Sequence, residues 1–225
     1  LNELNELKKN KFWNIWKKIL IENEIGSPIR YFLYPESSGN RIRQVYLIKK
    51  LSDQISIKNL KQIKNIIELG GGYGCMAQIF YKLSNKVNYY IYDMYEVNLL
   101  QYYYLKMNNC EPKLGFKKRG VNLINQSTVL KKINKEKKID LFIANWSLSE
   151  FPLKFRKEFI PTIKKSKYSI ISFQERFENI NNFKFFQNLL KQFKKNYKYK
   201  ILDFKFYNNS PFNNTNHKML ILIKK

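Results

Sequence analysis

The residues best suited to chemistry are four glycines and a glutamate around one turn of the chain. Gly70, Gly71, Gly72 and Gly74 make up half of the eight glycines, and Glu68 stands two positions before the first of them. Because glycine has no Cβ, backbone N–H groups and a following helix N-terminus can approach a ligand closely. The run therefore predicts a loop that binds a nucleotide-type ligand.

The elements around this loop must hold it at the end of a strand. Residues 65–69 have the continuous apolar pattern of a buried strand, and apolar residues recur at helical spacing over 75–84. Strand and helix patterns then alternate along the chain, and the last two strands form a hairpin. This order predicts an α/β fold with a doubly wound, mostly parallel seven-stranded sheet whose last strand is antiparallel.

The remaining periodicities predict the other elements and two parts of the chain. The predicted elements after the loop are strand 89–93, helix 96–107, a strand and a helix within 113–138, strand 140–145, helix 153–164, strand 168–173, helix 183–195 and strands 199–207 and 218–224. Before the loop, one apolar stripe from Leu4 to Leu20 predicts a basic helix, and a segment rich in Pro, Gly and Ser follows at 26–39. We predict a helical leader at 1–60 and a ligand-binding domain at 61–225.

Asp93 ends the second predicted strand, 23 positions after Gly70. In doubly wound folds, an acidic residue about 20 positions after the glycines binds ribose hydroxyls at the carboxyl ends of the strands. A carboxylate there can accept two hydrogen bonds from a cis-diol. The alternative is that Asp93 or Glu96 stabilises the N-terminus of the next helix. We favour ribose binding because the glycine turn and the acidic strand end occur together.

The glycine run differs from the G-x-G-x-x-G of dinucleotide folds, because Cys75 stands where the third glycine would be. This difference disfavours an NAD(H) enzyme. With Glu68 before the glycines, Asp93 after the next strand and the terminal hairpin, residues 60–225 resemble the class I S-adenosylmethionine-dependent methyltransferases. The resemblance implies a Rossmann-like methyltransferase fold, methyltransferase activity and S-adenosyl-L-methionine as the cofactor.

Several short strings are similar to the bacterial sugar O-methyltransferase family. They are Glu-Ile-Gly-Ser-Pro at 24–28, the glycine run at 67–74, Tyr-Ile-Tyr-Asp at 90–93, the string at 99–105 and Ser-Leu-Ser-Glu-Phe-Pro at 147–152. This narrower resemblance implies methyl transfer to the hydroxyl of a nucleotide-linked or surface-glycan sugar, in polysaccharide biosynthesis. The residues assigned to cofactor binding are Glu68, Gly70, Gly71, Gly72, Gly74, Asp93, Met94, Asn145 and Trp146.

The acceptor is expected to contact the leader and the turn after the fourth predicted strand. The residues assigned to substrate binding are Arg30, Tyr31, Asn40, Arg41, Tyr46, Ser147 and Ser149. In that turn, the amide of Asn145, the indole of Trp146 and two hydroxyls suit a sugar or an adenine ring. The alternatives are that Trp146 buries the edge of the sheet and that the polar leader residues are solvated surface.

A sugar hydroxyl must lose its proton as the new bond forms, so a general base is expected at the carboxyl end of the sheet. The candidates are His217, which is the only histidine, and Glu150 and Glu175, which follow the fourth and fifth strands. The alternatives are a surface imidazole for His217 and a helix cap for Glu150. No Asp/His cluster has the spacing of a divalent-metal site, so a metal-independent transfer is expected.

The formal net charge of +25 raises the possibility of a nucleic-acid partner, because a basic surface neutralises phosphates. However, 36 of the 42 basic residues are lysine, and pairs such as Lys164-Lys165 and Lys194-Lys195 are spread along the chain. Asn, Ile, Tyr and Phe, which also have AT-rich codons, are abundant too, so we favour a compositional origin. An RNA methyltransferase with the same cofactor and a non-catalytic nucleotide- or RNA-binding module stay as alternatives.

The expected setting is a soluble cytoplasmic protein that acts on a small molecule or a glycan. No run reaches the roughly 18 apolar residues of a membrane span. Cys75 and Cys110 lack metal-ligand spacing and are typical of reduced cytosolic thiols.

Overall fold

The computed structural model describes residues 2–84, 86–116, 119–204 and 216–225. Helices and strands alternate through most of these residues. In chain order they are α1 (Asn2–Lys8), α2 (Trp13–Leu20), β1 (Arg30–Tyr31), β2 (Tyr34–Ser38), α3 (Gly39–Ile55), α4 (Ile57–Lys61), β3 (Asn65–Leu69), α5 (Cys75–Leu83), β4 (Asn88–Tyr92), α6 (Tyr95–Met107), β5 (Pro112–Leu114), β6 (Gly120–Ile124), α7 (Ser127–Glu136), β7 (Leu141–Asn145), α8 (Ser147–Glu150), α9 (Leu153–Lys165), β8 (Tyr168–Gln174), β9 (Arg176–Phe177), β10 (Ile180–Asn181), α10 (Asn182–Phe193), β11 (Tyr197–Asp203) and β12 (His217–Lys224).

Eight of these strands form one mostly parallel sheet with the order β11-β12-β8-β7-β3-β4-β6-β5. Strand β12 is antiparallel to both β8 and β11, whereas β3, β7 and β8 are parallel to one another, as are β4, β5 and β6. This arrangement confirms the predicted α/β architecture with an antiparallel last strand. The strand beyond the predicted seven is β5, a three-residue edge strand beside β6.

The chain divides into two compact units. The first unit comprises Leu1–Lys64 and Gly71–Asn125, and the second comprises Asn65–Gly70 and Gln126–Lys225. The predicted division into a leader at 1–60 and a domain at 61–225 stays a prediction.

Two short helices and a hairpin open the first unit. The single helix predicted from the apolar stripe is divided into α1 and α2, because Asn10 Oδ1 accepts hydrogen bonds from Phe12 N (2.9 Å) and Trp16 Nε1 (3.0 Å). This side-chain acceptor competes with the helical backbone. The Pro-, Gly- and Ser-rich segment then forms the antiparallel pair β1 and β2. Ser38 Oγ accepts from Arg41 N (3.1 Å) and caps the N-terminus of α3.

In the second unit, β7 and β8 have almost continuously buried side chains, as parallel strands covered on both faces require. Their carboxyl ends carry Asn145 and Gln174, and β12 begins at His217 opposite Gln174. Strand β11 ends at Asp203; positions 205–207 of the predicted strand and the Asn-rich turn up to residue 215 lie outside the described residues. In the second unit, the carboxyl ends of β7 and β8 and the start of β12 therefore lie at the same end of the sheet.

No helix within the described ranges is long and apolar enough to cross a bilayer.

Candidate functional site

The glycine loop begins where β3 ends, and its first residue must be glycine. Gly70 has φ +68°, and an ideal Cβ on it would lie 2.4 Å from Ser147 Cβ. In the same unit, Ser147 Oγ donates to the Leu69 carbonyl. A larger residue at position 70 would combine backbone strain with a clash against this serine. The predicted strand-to-helix turn is confirmed, because α5 begins at Cys75.

Gly72 is the open part of the loop. Its φ is +54°, and no atom lies within 4 Å of the position that a Cβ would take. The backbone here is thus accessible to a ligand in a way that a side chain would prevent.

Asp93 is hydrogen-bonded to the loop. Its Oδ2 accepts from Gly71 N (3.0 Å) and from Gln101 Nε2 (2.8 Å), and its Oδ1 accepts from Met94 N (3.0 Å). A carboxylate has about four acceptor positions, so roughly one is left for a ligand. Burial raises the pKa of Asp93, although these three donors oppose the shift. Asp93 therefore joins the end of β4 to the glycine loop and retains limited capacity for a further donor.

Gln101 is a functional candidate that the residue-by-residue reasoning missed. It is fully buried on α6, and its Nε2 donates both to Asp93 Oδ2 and to the Gly72 carbonyl (2.9 Å). Its Oε1 is buried and has no hydrogen-bond partner within the described part of the chain. An unsatisfied buried acceptor in a native protein is uncommon and points to a ligand or a rearrangement. The sequence signal was its place in the string 99–105.

A cavity of about 640 Å³ lies within the first unit. Its lining comes from the segment before α3, from the glycine loop and from α6. The lining residues are Glu22, Ile25, Gly26, Pro28, Ile29, Arg30, Tyr31, Ser38, Gly39, Asn40, Tyr73, Leu100, Tyr103 and Tyr104. The predicted substrate residues Arg30, Tyr31 and Asn40 are thus brought together at one cavity.

Tyrosines dominate the polar groups of this cavity. Tyr73 and Tyr104 pack edge to face with ring centroids 4.8 Å apart, and Asn40 Nδ2 donates to Tyr73 Oη (2.9 Å). Burial raises the pKa of both tyrosines, so both keep their hydroxyl protons at neutral pH. The hydroxyl of Tyr104 is buried without a hydrogen-bond partner in the described ranges. A polar group of a ligand in the cavity could supply the missing partner.

Among the described residues, Arg30 is the only cation that lines the cavity, and two glutamates lie close to it. Arg30 NH2 pairs with Glu24 Oε1 at 2.5 Å, and Arg30 NH1 lies 3.8 Å from Glu22 Oε2. Glu22 Oε2 also accepts from Ser38 N (2.7 Å). The cavity is therefore mainly apolar and aromatic, with little net charge.

The other two predicted leader residues do not line this cavity. Arg41 is fully buried, with Nε donating to the Ile19 carbonyl (2.7 Å) and NH2 donating to Gln78 Oε1 (2.7 Å). Tyr46 Oη donates to Glu6 Oε1 (3.2 Å). Both residues hold α3 to neighbouring elements in the first unit.

In the second unit, the turn after β7 carries the other predicted residues. Trp146 has φ +66°, an uncommon conformation for a residue with a side chain, and its Nε1 donates to His217 Nδ1 (2.8 Å). Asn145 Oδ1 accepts from Ser172 Oγ (3.0 Å), and Ser149 Oγ donates to Gln174 Oε1 (2.9 Å). The turn is thus fixed to the ends of β8 and β12.

The three candidate bases all have hydrogen-bond partners. A His217 Nδ1 that accepts from Trp146 carries no proton, so in the neutral ring the proton is on Nε2. Glu175 Oε1 lies 3.1 Å from Lys218 Nζ, and Glu150 Oε1 is 3.4 Å from Gln174 Nε2. Of the three, Glu150 has the weakest of these contacts. Their catalytic roles stay predictions.

Arg156 donates hydrogen bonds to the backbone of this turn. Its role was not predicted from the sequence. Its side chain is fully buried and donates to the carbonyls of Ser149 (2.6 Å) and Phe151 (2.6 Å) and to Asn182 Oδ1 (2.7 Å). Burial lowers its pKa to about 10. No carboxylate pairs with Arg156 among the described residues, so three neutral acceptors satisfy a buried cation.

The last two predicted cofactor residues differ in exposure. Glu68 is buried on β3 of the second unit, whereas Met94 is 67% exposed at the start of α6 in the first. Across the described ranges, no group of three or more His, Cys, Asp and Glu side chains is arranged to hold a metal ion.

Neither a protein-family model nor a curated protein matches this sequence. Solved structures do match. A precorrin-6y C5,15-methyltransferase from Geobacter metallireducens GS-15 has a TM-score of 0.57 and 10% identity, over 92% of this chain and 98% of that one. The methyltransferase domain of a bacterial protein, CtHen1-C, has a TM-score of 0.56 and 12% identity, over 83% of this chain and 99% of that one.

A third match was solved with its cofactor. The magnesium protoporphyrin IX methyltransferase from Synechocystis PCC 6803, with bound S-adenosylmethionine, has a TM-score of 0.51 and 8% identity, over 99% of this chain and 95% of that one. At such identities the likeness concerns the fold alone. The chain has the Rossmann-like fold of class I S-adenosylmethionine-dependent methyltransferases.

Proposed function

We propose that this protein is a methyltransferase that uses S-adenosyl-L-methionine. The observation that carries the proposal is the network of Gly71, Asp93 and Gln101, which lies at the ends of β4 and the glycine loop in a methyltransferase fold. When bound, the cofactor supplies a methyl group activated on a sulfonium.

The residues present fit such a cofactor. Asp93 retains about one acceptor position for a ribose hydroxyl, and Gly72 leaves space beside its backbone. Gln101, whose Nε2 donates to both residues, has a buried Oε1 without a partner in the described part of the chain. The other residues that we assign to the cofactor stay predictions; they are Glu68, Gly70, Gly74, Met94, Asn145 and Trp146. The protein's contribution would be to hold the acceptor oxygen in line with the methyl group, since positioning supplies much of the acceleration in such displacements.

For the acceptor, we propose the hydroxyl of a sugar that is nucleotide-linked or part of a surface glycan. The support is the cavity of the first unit, where tyrosine rings offer faces to sugar C–H groups and Asn40 and Tyr104 offer polar contacts. The low net charge of the lining suits a neutral sugar ring. The proposed general bases are His217, Glu150 and Glu175.

Two other functions are compatible with the same fold. An RNA methyltransferase would be favoured by cations around the substrate cavity, yet the cavity lining has Arg30 alone, paired with two glutamates. A non-catalytic nucleotide-binding module would bind cofactor without methyl transfer.

The cofactor assignment is tested by calorimetry with S-adenosylmethionine on the wild type, Asp93→Ala and Asp93→Asn. Loss of a charged acceptor for a ribose hydroxyl should weaken binding by about 10- to 100-fold in both variants. An unchanged dissociation constant for Asp93→Ala would show that this strand end does not bind the ribose.

The acceptor is tested by incubating the protein and labelled cofactor with a cell extract. We expect label in the glycan fraction. Label in RNA would support the RNA alternative, and tight cofactor binding with no transfer to either pool would support the non-catalytic module.

A further inference from the structure

Seven lysines line one groove in the second unit. The lysine groove is formed by Lys135, Lys137, Lys138, Lys165, Lys167, Lys224 and Lys225, and its volume is about 700 Å³. Seven of the nine lining residues are lysine, against 36 lysines in 225 residues overall. Composition alone does not account for this local concentration.

Three separate segments converge to make the groove. They lie just before β7, just before β8 and at the end of β12, so the lysines are at the opposite ends of these strands from Asn145 and His217. Strand β8 has seven residues, so its two ends are about 20 Å apart. The groove is thus separate from the turn that carries the candidate bases.

Part of the positive charge in the groove is held by main-chain carbonyls. Lys225 Nζ donates to the carbonyls of Lys194 (3.3 Å) and Lys195 (3.2 Å), and Lys224 Nζ donates to the carbonyl of Lys164 (3.4 Å). Lys165 Nζ donates to the carbonyl of Asn134. These acceptors are carbonyls at or just beyond the ends of α9, α10 and α7, where the helix dipole favours cations.

The remaining charge has no internal acceptor. Lys135, Lys137, Lys138 and Lys167 donate to no carbonyl or carboxylate in the described part of the chain, and Lys167 Nζ lies 5.0 Å from the centroid of the Tyr168 ring. The one acidic residue of the lining, Glu136, lies 3.9 Å from Lys132, on its own helix. The groove therefore presents ammonium groups that a polyanion could neutralise.

The chemistry of the lining favours phosphates. Lysine ammonium groups bind phosphate as point charges, and no arginine of the described residues lines the groove, so binding there would depend on charge and not on bidentate hydrogen bonds. Its single apolar lining residue, Ile139, is fully buried, so the groove offers nothing to insert into a lipid layer. Its concave form suits a chain of phosphates better than a flat membrane surface.

We propose that the lysine groove binds the phosphate backbone of a single-stranded nucleic acid. Binding would be independent of sequence, because contacts between lysines and phosphates carry no sequence information. The proposal does not rest on methyl transfer, and the groove would hold RNA at a place remote from the turn of the candidate bases.

The test measures binding of the full chain to a fluorescent single-stranded RNA by anisotropy at several salt concentrations. The variant Lys135→Gln/Lys137→Gln/Lys138→Gln removes three of the four ammonium groups that donate to no carbonyl or carboxylate among the described residues. Since each phosphate contact on a single strand contributes about 0.7 to the salt slope, we expect the slope to fall by about 2. Replacing the same three lysines by arginine should preserve the wild-type slope.

A matched control removes the same charge elsewhere. Lys17→Gln/Lys18→Gln/Lys61→Gln changes three exposed lysines of the first unit and should leave the slope unchanged. Equal losses in both triple variants, or no loss in the groove variant, would overturn the proposal. Groove-dependent binding to anionic lipid vesicles without binding to RNA would also overturn it. Thermal unfolding of each variant verifies that it is folded.

Discussion

The cavity of the first unit and the lysine groove of the second differ in the charge of the residues that line them. The cavity has a single cationic lining residue, Arg30, which two glutamates neutralise, and none of the lysines in the described ranges lines it. The groove gathers seven lysines and one glutamate. A chain so rich in lysine could have scattered positive charge evenly over both. The contrast indicates that the cavity suits a neutral, partly apolar ligand, whereas the groove suits a polyanion.

The largest effect is expected for the free energy of unfolding when Arg156 is replaced. Arg156 is a buried cation that lines neither the cavity nor the groove. Arg156→Met would leave two carbonyls and Asn182 Oδ1 without a donor, at a cost of about 3 kcal/mol or more in the free energy of unfolding. Urea denaturation measures it. The control is Lys157→Met, an exposed cation on the same helix, which should change stability little. Equal effects would mean that burial of the guanidinium is unimportant.

The next effect concerns Asp93 and pH. Because burial raises its pKa, cofactor affinity should fall with acidification at a higher pH than an ordinary aspartate would give, as the carboxylate acceptor gains a proton. Asp93→Asn should show a flat profile by calorimetry. Because the folded-state pKa of this carboxyl is raised, the wild type should lose stability as pH rises through that pKa, and Asp93→Asn should not show this pH dependence. A wild-type profile as flat as that of Asp93→Asn would contradict this role.

A smaller effect is expected in the cavity itself. Tyr103 is 59% exposed on its rim, and Tyr103→Ala should raise the acceptor KM by about 5- to 10-fold without changing the affinity for cofactor. Unlike RNA binding, the acceptor KM should depend little on salt. Tyr199→Ala, at an exposed tyrosine of the second unit, is the control. A strongly salt-dependent acceptor KM would remove the distinction between cavity and groove.

The smallest effect is on folding of the groove. The triple variant Lys135→Gln/Lys137→Gln/Lys138→Gln should change the free energy of unfolding by less than about 0.5 kcal/mol, or raise it slightly through relief of repulsion. Denaturant titration at low and high salt measures it. A loss well above 1 kcal/mol would mean that these lysines serve the fold instead of a ligand.

Local features of the fold could be predicted because their signals lie within a few residues. The strand at 65–69, the glycine turn and the acidic end of the next strand depend on apolar periodicity and on glycine. The same holds for the terminal hairpin. The sequence does not reveal the break between α1 and α2, since an apolar stripe does not show that Asn10 Oδ1 accepts from Phe12 N and Trp16 Nε1.

Contacts between distant residues could not be predicted. Gln101 reaches Gly72 across 29 positions, and Trp146 reaches His217 across 71. The lysine pairs looked scattered because the sequence does not show that the ends of α7, α9 and β12 meet. The cavity likewise depends on how the segment before α3 packs against α6. In each case the fold, and not the residue type, determines the neighbours.

Gln101 links the glycine loop to the end of β4, because its Nε2 donates both to the Gly72 carbonyl and to Asp93 Oδ2. A diol that needs both of its hydroxyls accepted must displace this amide, because Asp93 has about one acceptor position left. Displacement would release the Gly72 carbonyl at the same moment. Binding of a ribose and the conformation of the glycine loop would then be coupled through one side chain.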